Sequence, residues 1–435
     1  MRYSATTPET RGQMLAEIGV NSVADLLKSI PDAVRMNRPL EVAGPLAEAD
    51  LRAHLESIKT SRPRVSFVGA GLYDHYIPAP VESLCARSEW VTSYTPYQPE
   101  LAQGTLAMYY EFQTYMARLT GQEIANGGMY DGSTALAEAV LMAMRIRPKA
   151  DPIIFVSDAV HPQYRAVLAT YMRFVGVEIA TMSHDPKSGR TLDLPAEEAQ
   201  SKAIAVIFQS PNYFGVIEEL EGVAADAFKI GVCTEALSMA VLPPLPVDIM
   251  VGDAQSFGIP MQLGGPTAGF FATRKEWVRK LPGRLVGRTV DAKGEEAFCI
   301  TLATREQFIR REKATSNICT SSGLMCLRAT VYLSLLGGAG LTRLAESCAK
   351  TTRYFVDGLA KLGIKRAHDG AFFNEVVLDA RAATGLYEKL LAKDILLGLP
   401  LADLGPAYRD HYLFAATEQH YSRAEAILEE VRSLA

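Results

Sequence analysis

The sequence lacks the signatures of several large classes of protein. The 435 residues contain no zinc-spaced cysteine–histidine group, G-x-S-x-G elbow, P-loop or G-x-G-x-x-G fingerprint. The six cysteines include no C-x-x-C pair, a usage typical of reduced thiols, and a cytoplasmic protein is expected. Hydrolase and nucleotide-binding functions therefore find no support in these motifs.

Long apolar runs and basic blocks are also missing. No window of about 18 apolar residues occurs, so no membrane span is expected. The net charge is −5 without a basic cluster, which argues against nucleic acid as a partner. The N-terminus, M-R-Y-S-A-T-T-P-E-T-R, has no apolar core of a signal peptide. The composition, 48% hydrophobic and 21% charged, is that of a globular protein with a sizeable core.

The apolar pattern divides the chain into three parts. Residues 1–60 have apolar residues at helical spacing and predict an N-terminal helical arm. Residues 61–315 alternate short apolar strands with helices, which predicts a large α/β domain with a mostly parallel, helix-covered sheet. Residues 316–435 predict a smaller α+β C-terminal domain.

Polar residues follow the predicted strands of the large domain. The strands are expected at Ile153–Val156, Val177–Met182, Ala203–Gln209, Ile230–Cys233, Val247–Val251 and Ala268–Ala272. Ligands of such sheets bind at the carboxyl ends of the strands. The side chains that follow those ends, and that one crevice would collect, are His161, Asn212, Tyr213, Glu235, Asp253, Gln255 and Ser256.

The stretch N-G-G-M-Y-D-G-S-T-A-L-A-E-A has the composition of a phosphate cradle. Gly127, Gly128 and Gly132 allow close approach of the backbone to a ligand. Ser133 and Thr134 offer hydroxyls at the start of a predicted helix, whose N-terminus favours an anion. An ordinary helix cap has the same composition.

The order of these features resembles that of fold-type-I pyridoxal phosphate enzymes. In such enzymes the segment after the fifth strand carries the lysine that forms a Schiff base with the cofactor. Here Gly252–Phe270 reads G-D-A-Q-S-F-G-I-P-M-Q-L-G-G-P-T-A-G-F and contains no lysine. The nearest, Lys275 and Lys313, lie in unsuitable contexts. The sequence therefore predicts the architecture of such an enzyme without its central chemistry.

Each polar residue also has a purely structural interpretation. His161, before a proline, is compatible with a loop histidine whose hydrogen bonds are satisfied within the protein. Asn212, after a proline, is typical of a turn. Arg305, Arg310 and Arg311 are compatible with a solvated helix face.

Several long strings make the sequence similar to one family over nearly its whole length. They include Y-D-H-Y-I-P, Y-T-P-Y-Q-P-E, Q-G-T-L, M-Y-D-G-S-T-A-L-A-E-A, G-G-P-T-A-G-F, L-P-G-R-L-V-G-R-T-V-D and R-R-E-K-A-T-S-N-I-C-T. The sequence resembles the P-protein of the glycine cleavage system, glycine dehydrogenase (decarboxylating). Within that family it resembles the alpha subunit, subunit 1, of the two-chain form.

The resemblance implies an activity that needs a second chain. The P-protein, an oxidoreductase, decarboxylates glycine on pyridoxal phosphate and passes the aminomethyl group to the lipoyl arm of H-protein. In the two-chain form the lysine that binds the cofactor belongs to the beta subunit, and an α2β2 assembly is expected. This chain would be inactive alone, and would complete the active site of its partner.

The resemblance also implies roles for particular residues. Aligning G-G-P-T-A-G-F with the family puts Gln255 at the lysine position. The vestigial cofactor pocket would then consist of Ser133, Thr134, His161, Asn212, Glu235 and Gln255. The residues expected to line the partner's site are Tyr94, Thr95, Tyr97, Gln98, Asn317 and Thr320, with Arg310 and Arg311 near the glycine carboxylate or H-protein. Packing at the interface without ligand contact is the alternative for all of them.

Some positions depart from the family and leave alternatives open. Glu235 stands where active members of the wider fold carry an aspartate, and N-G-G precedes Met129. The alternatives are a regulatory or scaffold protein of the same fold, a paralogue acting on another amino acid, and a self-sufficient enzyme with an unexpected lysine. The last would need a stable aldimine in the isolated chain.

Overall fold

The computed structural model describes residues 6–36, 38–59, 63–92, 94–262, 265–316, 318 and 320–434. The chain forms two compact units, Met1–Ser61 and Arg62–Ala435. The helices of the first unit are α1 Pro8–Ile18, α2 Val23–Leu26 and α3 Glu48–Ile58. The sequence T-P-E at Thr7–Glu9 predicts a helix start, and the structure confirms it, because the Thr7 side chain accepts the Thr10 N–H at 3.2 Å.

The second unit contains the remaining helices and all the strands of the described residues. Its helices are α4 Ala79–Cys85, α5 Ser88–Val91, α6 Gln103–Thr120, α7 Gly132–Ile146, α8 Pro162–Met172, α9 Glu197–Lys202, α10 Gln307–Arg310, α11 Gly323–Ala360, α12 Leu386–Leu391 and α13 Ala424–Leu434. Its strands are β1 Val65–Ser66, β2 Ile124–Ala125, β3 Asp151–Ser157, β4 Glu178–Met182, β5 Ala203–Gln209, β6 Lys229–Cys233, β7 Ile249–Asp253, β8 Gly269–Thr273, β9 Leu285–Val290, β10 Glu296–Thr301, β11 Lys365–Arg366, β12 Glu375–Asp379, β13 Ile395–Leu396, β14 Leu399–Pro400 and β15 His411–Ala415.

A seven-stranded sheet with the order β2-β8-β7-β6-β5-β3-β4 forms the centre of the second unit. The pairs from β7 to β4 are parallel, whereas β8 runs antiparallel to β7 and β2 antiparallel to β8. β5 is buried along its whole length, as a continuous apolar run predicts for a parallel sheet covered on both faces. The mostly parallel sheet expected from the sequence is confirmed, and β5 has the predicted bounds.

A second sheet, with the antiparallel order β11-β12-β15-β14, lies toward the C-terminus. It packs through Val376, Leu378 and Phe414 against α11 and α13. The strand β1, far earlier in the chain, pairs with β13. The division of this unit at residue 315 stays a prediction.

The helix α11 bends at Gly337, whose φ of 60° and ψ of 177° interrupt the helical backbone. The sequence predicts this interruption, with one helix ending before Gly337 and another beginning at Leu341. By length and composition alone, α11 could cross a membrane, but half of its most apolar window is buried within the protein. Cys326, Leu333 and Leu341 pack in the core beside the large sheet.

The sequence predicts a short helix at Ala224–Phe228, between two strands, and this prediction is wrong. Ala224–Phe228 forms turns. The Ala224 N–H donates a 2.9 Å hydrogen bond to the Gln200 side chain instead of to a backbone carbonyl oxygen of a helix. Five residues are too few to offset the cost of starting a helix when their backbone groups find partners elsewhere.

Candidate functional site

The carboxyl ends of the central strands face a segment without regular structure, Phe67–Ile77, which we call the crevice segment. Its backbone or side chains hydrogen-bond to residues that follow β3, β6 and β7. Because parallel strands end at one edge of the sheet, these contacts lie together. The sequence motifs and the crevice segment therefore build one site.

Gln255, at the expected lysine position, is buried and uses both ends of its amide. Its Oε1 accepts a 2.8 Å hydrogen bond from the Tyr73 N–H. Its Nε2 donates to the carbonyl oxygens of Tyr73 at 3.1 Å and Ile259 at 2.8 Å. The side chain ties the crevice segment to the turn after β7 and offers no amine for a Schiff base.

The predicted phosphate cradle at the start of α7 is occupied by carboxylates. Asp131 caps the helix, and its Oδ1 accepts hydrogen bonds from the Ser133 hydroxyl and the Thr134 N–H, each at 2.7 Å. Asp253 Oδ2 accepts from the Gly132 N–H at 3.3 Å. Donors that could hold a phosphate dianion are thus already paired with negative groups, which repel a second anion.

Asp253 is fully buried between α7 and the turn after β7. Burial raises its pKa to about 7, although the Thr267 hydroxyl and the N–H groups of Gly132 and Gln255 oppose the shift. The approach here is close, because a Cβ at Gly132 would overlap the Tyr164 hydroxyl. Tight packing at this helix end leaves little room for a ligand.

Glu235 follows β6 and lies among donors. Its Oε2 accepts from Asn374 Nδ2 at 3.1 Å, and its Oε1 accepts from the Leu237 N–H at 3.0 Å. His75 Nε2 lies 3.2 Å from Glu235 Oε2, and His75 Nδ1 lies 2.8 Å from Glu418 Oε2. Burial lowers the pKa of His75, but the Glu235 charge and hydrogen bonds to its neighbours leave that pKa well above its ordinary value.

His161 follows β3 and contacts the crevice segment from the other side. Its Nε2 lies 3.0 Å from the Ala70 carbonyl oxygen, and its Nδ1 accepts from the Gln163 N–H at 3.2 Å. The ring packs edge-on against Tyr213 with centroids 5.1 Å apart. Burial lowers the pKa of His161, which favours the neutral imidazole. The crevice segment lies against this ring.

Asn212 does not face the crevice segment with its amide. The amide Nδ2 donates to the Gly189 carbonyl at 2.8 Å and to Glu218 Oε1 at 2.9 Å. Its Oδ1 accepts from the N–H groups of Phe214 and Val216. These bonds stabilise a turn, and they use the polar atoms of the side chain.

Tyr73 fills the middle of the crevice. Its hydroxyl donates a 2.9 Å hydrogen bond to Glu375 Oε2, while Glu375 Oε1 accepts from the Ala70 N–H at 2.7 Å. Burial raises the pKa of Glu375 to about 7, with Glu235 contributing in the same direction. Gly69 lacks a side chain where a Cβ would overlap Glu375. The carboxyl of Glu375 thus holds the crevice segment in place.

We expect Glu375→Gln to gain stability relative to the wild type as the pH rises. An acid whose folded pKa is raised stabilises the fold below its ordinary value of 4.5, and that contribution is lost through pH 7. For this shift we expect the Glu375 carboxyl to contribute roughly 2 to 3 kcal/mol less stability at pH 8 than at pH 5, and glutamine at this position has no such loss. Glutamine can still accept from Ala70 and donate to the Tyr73 oxygen. Urea unfolding at both pH values measures the difference.

The exposed Glu425→Gln is the matched control for the replacement of a carboxyl by an amide. A Glu375→Gln difference that stays constant from pH 5 to pH 8 would contradict the raised pKa.

Pyridoxal phosphate does not fit this crevice. Its phosphate would meet the carboxylates of Asp131 and Asp253, and its ring would meet Tyr73. Gln255 supplies no amine, and the nearest lysines, Lys275 and Lys313, lie exposed on the surface. The site therefore has no amine that could anchor the cofactor covalently, and its phosphate donors are paired with carboxylates.

The residues expected to line a partner's site lie mostly on the surface. Tyr94 is 83% exposed and Tyr97 45% exposed. Tyr97 packs edge-on against Phe308 at 5.3 Å and beneath the Arg284 guanidinium at 5.5 Å. The buried Thr95 hydroxyl has no hydrogen-bond partner among the described residues. This segment therefore carries exposed aromatic side chains.

The other residues proposed for that role have mixed outcomes. Gln98, Arg310 and Arg311 are exposed and Thr320 is half-buried. Asn317 lies outside the described residues. Their roles, and those of the crevice residues, stay predictions.

Sequence reasoning missed the residues that fill the crevice. His75 and Tyr73 belong to the string Y-D-H-Y-I-P. This string indicated the family, but its position in the chain did not indicate that it fills the crevice. Glu375 begins a strand, and Cys348 and Glu418 are isolated in the sequence. The signal that could have found Glu375 is an acid at the start of the apolar run E-V-V-L.

Comparison with known proteins agrees with this geometry. The model of the family "Glycine cleavage system P-protein" matches residues 1–428. The probable glycine dehydrogenase (decarboxylating) subunit 1 of Solibacter usitatus is 43% identical over 430 residues, covering 96% of this chain and 94% of that protein. The corresponding protein of Anaeromyxobacter dehalogenans is 45% identical over 437 residues, covering 97% of each chain.

Solved structures give the same result. A crystal structure of glycine decarboxylase (P-protein) of the glycine cleavage system, in inhibitor-bound form, superposes with a TM-score of 0.84 at 38% identity, covering all of both chains. Sphingosine-1-phosphate lyase of Burkholderia pseudomallei superposes with a TM-score of 0.65 at 13% identity, covering 93% of this chain and 94% of that one. The latter likeness shows the fold alone.

The predicted fold class, that of fold-type-I pyridoxal phosphate enzymes, is confirmed by these superpositions. The family resemblance carried by the sequence strings is confirmed as well, since the matches extend over nearly the whole chain. The chain belongs to the glycine cleavage system P-protein family.

Proposed function

We propose that this chain is the alpha subunit of a two-chain P-protein that decarboxylates glycine and transfers the aminomethyl group to the lipoyl arm of H-protein. The names of its relatives, glycine dehydrogenase (decarboxylating) subunit 1, support this function. Because these relatives are named as subunits, we expect a second chain. We propose an α2β2 assembly. Pyridoxal phosphate is held covalently by the beta subunit and not by this chain.

One observation carries the proposal. The crevice that holds the cofactor in this fold is filled here by Tyr73, Gln255 and the carboxylates of Asp131 and Asp253. When bound, pyridoxal phosphate withdraws electrons from the bond that breaks in glycine. A chain that cannot hold it can belong to such an enzyme only if another chain supplies that site.

This chain's own contribution is to shape and close its partner's site. Tyr94 and Gln98 flank a segment fixed by Pro96 and Pro99, so their side chains are presented with little loss of conformational freedom. Aromatic surface of this kind excludes water from a neighbouring pocket. Arg310 and Arg311 are exposed cations suited to the glycine carboxylate or to H-protein.

A cytoplasmic location fits this assignment. The cysteines Cys85, Cys233, Cys299, Cys326 and Cys348 are free thiols, and no disulfide occurs among the described residues. Free thiols are the usual state in a reducing compartment.

Borohydride reduction of the assembled enzyme tests where the cofactor is held. We expect reduction to fix pyridoxal phosphate to a lysine of the partner subunit and to leave no labelled peptide from this chain. The isolated chain, incubated with the cofactor and reduced, is the control and should retain none. A stoichiometric label on this chain in either sample would disprove the proposal.

A further inference from the structure

The residues His75, Cys348 and Glu418 form a buried cluster that the function above does not use. Their ligand atoms, one from each residue, all lie within 4.8 Å of one another. His75 Nδ1 is 2.8 Å and Cys348 Sγ is 3.2 Å from Glu418 Oε2. The side chain of His75 is 2% exposed and that of Glu418 14%.

These three groups are the donor types that zinc prefers. Imidazole nitrogen, thiolate sulfur and carboxylate oxygen bind zinc at about 2.0 to 2.3 Å, which places tetrahedral ligand atoms roughly 3.3 to 3.8 Å apart. The separations of 2.8 and 3.2 Å from Glu418 Oε2 need to widen by only about half an ångström to reach that geometry, and His75 and Cys348 lie within 4.8 Å of each other. The mixture of sulfur and nitrogen donors disfavours calcium and magnesium, which take oxygen ligands.

The groups around the cluster already orient the histidine as a ligand. Glu235 Oε2 lies 3.2 Å from His75 Nε2, the nitrogen that faces away from Glu418 and Cys348. A carboxylate on the far nitrogen is the usual outer partner of a zinc-bound histidine, because it fixes the ring and the tautomer. Glu235 is itself held by Asn374 and by the Leu237 N–H.

We propose that His75, Cys348 and Glu418 bind one zinc ion, with Glu235 as the residue that positions His75. Binding releases the Cys348 thiol proton and the proton on His75 Nδ1, because thiolate and neutral imidazole are the forms that bind zinc. A solvent molecule completes the coordination, and the partly exposed Glu418 marks the path of entry. The ion would join the crevice segment, α11 and the turn after β15, since His75 and Glu418 lie 343 residues apart in sequence. This inference is independent of the proposed function.

The test is zinc binding by the full chain, exposed to zinc and then desalted. We expect about one zinc ion per chain by elemental analysis, and a zinc absorption-edge spectrum with one sulfur among nitrogen and oxygen ligands. Substitution by cobalt(II) should give a thiolate charge-transfer band. Cys348→Ser and Glu418→Gln should lose the band, and their zinc content should fall about ten-fold or more below that of the wild type.

Two further variants complete the design. Glu235→Gln should weaken zinc binding by about 10- to 100-fold without removing a ligand. Cys326→Ser is the matched control, because Cys326 is equally buried but faces the Gly127 carbonyl, and it should bind zinc like the wild type. The proposal would be overturned if the wild type retained no zinc after desalting, or if Cys348→Ser retained as much zinc as the wild type. Either result would mean that the three residues form a hydrogen-bonded cluster only.

Discussion

With lipoylated H-protein present to accept the aminomethyl group, the purified chain will release no measurable carbon dioxide from glycine. Addition of the partner subunit with pyridoxal phosphate will raise the rate at least about 10⁴-fold. Removal of a covalent nucleophile commonly lowers the rate of an enzyme by a factor of this size or more. Here the amine is absent, with Gln255 bonded to Tyr73 in its place. Exchange of labelled bicarbonate into glycine is the measurement.

The variant Gln255→Lys provides the strictest control for this prediction. It restores an amine, but Tyr73 still fills the crevice and Asp131 still occupies the donors of α7. We therefore expect Gln255→Lys to stay inactive alone and to form no aldimine band. Turnover by the wild-type chain alone would contradict the assignment, and turnover by Gln255→Lys would contradict the occupied crevice.

The second large effect is expected for Tyr94 and Tyr97. Truncation of an aromatic residue central to an interface commonly costs 2 kcal/mol or more, so Tyr94→Ala and Tyr97→Ala should each weaken binding of the partner subunit about 30-fold. Their exposure, 83% and 45%, means that the isolated chain should lose little stability. Titration of this chain into the partner, followed by glycine exchange, gives the affinity and the rate at saturation.

The rate at saturation separates the two roles that the sequence leaves open for this segment. A fall in that rate indicates contact with the ligand, whereas an unchanged rate with weaker binding indicates packing at the interface. Tyr421→Ala is the matched control, since Tyr421 is 65% exposed and has no proposed role. If both tyrosine variants bind and turn over like Tyr421→Ala, the segment does not face the partner's site.

The sequence by itself determined the central sheet, because burial on both faces leaves continuous apolar runs such as Ala203–Gln209. It also determined the break at Gly337. The hairpin β9–β10 was not predicted, since β10 is half-buried with no clear alternation along the strand. The turn at Ala224–Phe228 was predicted as a helix because it is apolar, but its apolar residues Ala224 and Ala227 pack against the sheet from a turn.

For the site, sequence determined what is chemically missing, and tertiary structure decided what replaces it. The sequence alone shows that no lysine lies near Gln255. This absence is decisive because a Schiff base needs an amine at that position. The occupation of the crevice by Tyr73, and the meeting of His75 with Glu418, join residues hundreds of positions apart. No local pattern encodes such contacts, because they exist only after two sheets and α11 have packed around the crevice segment.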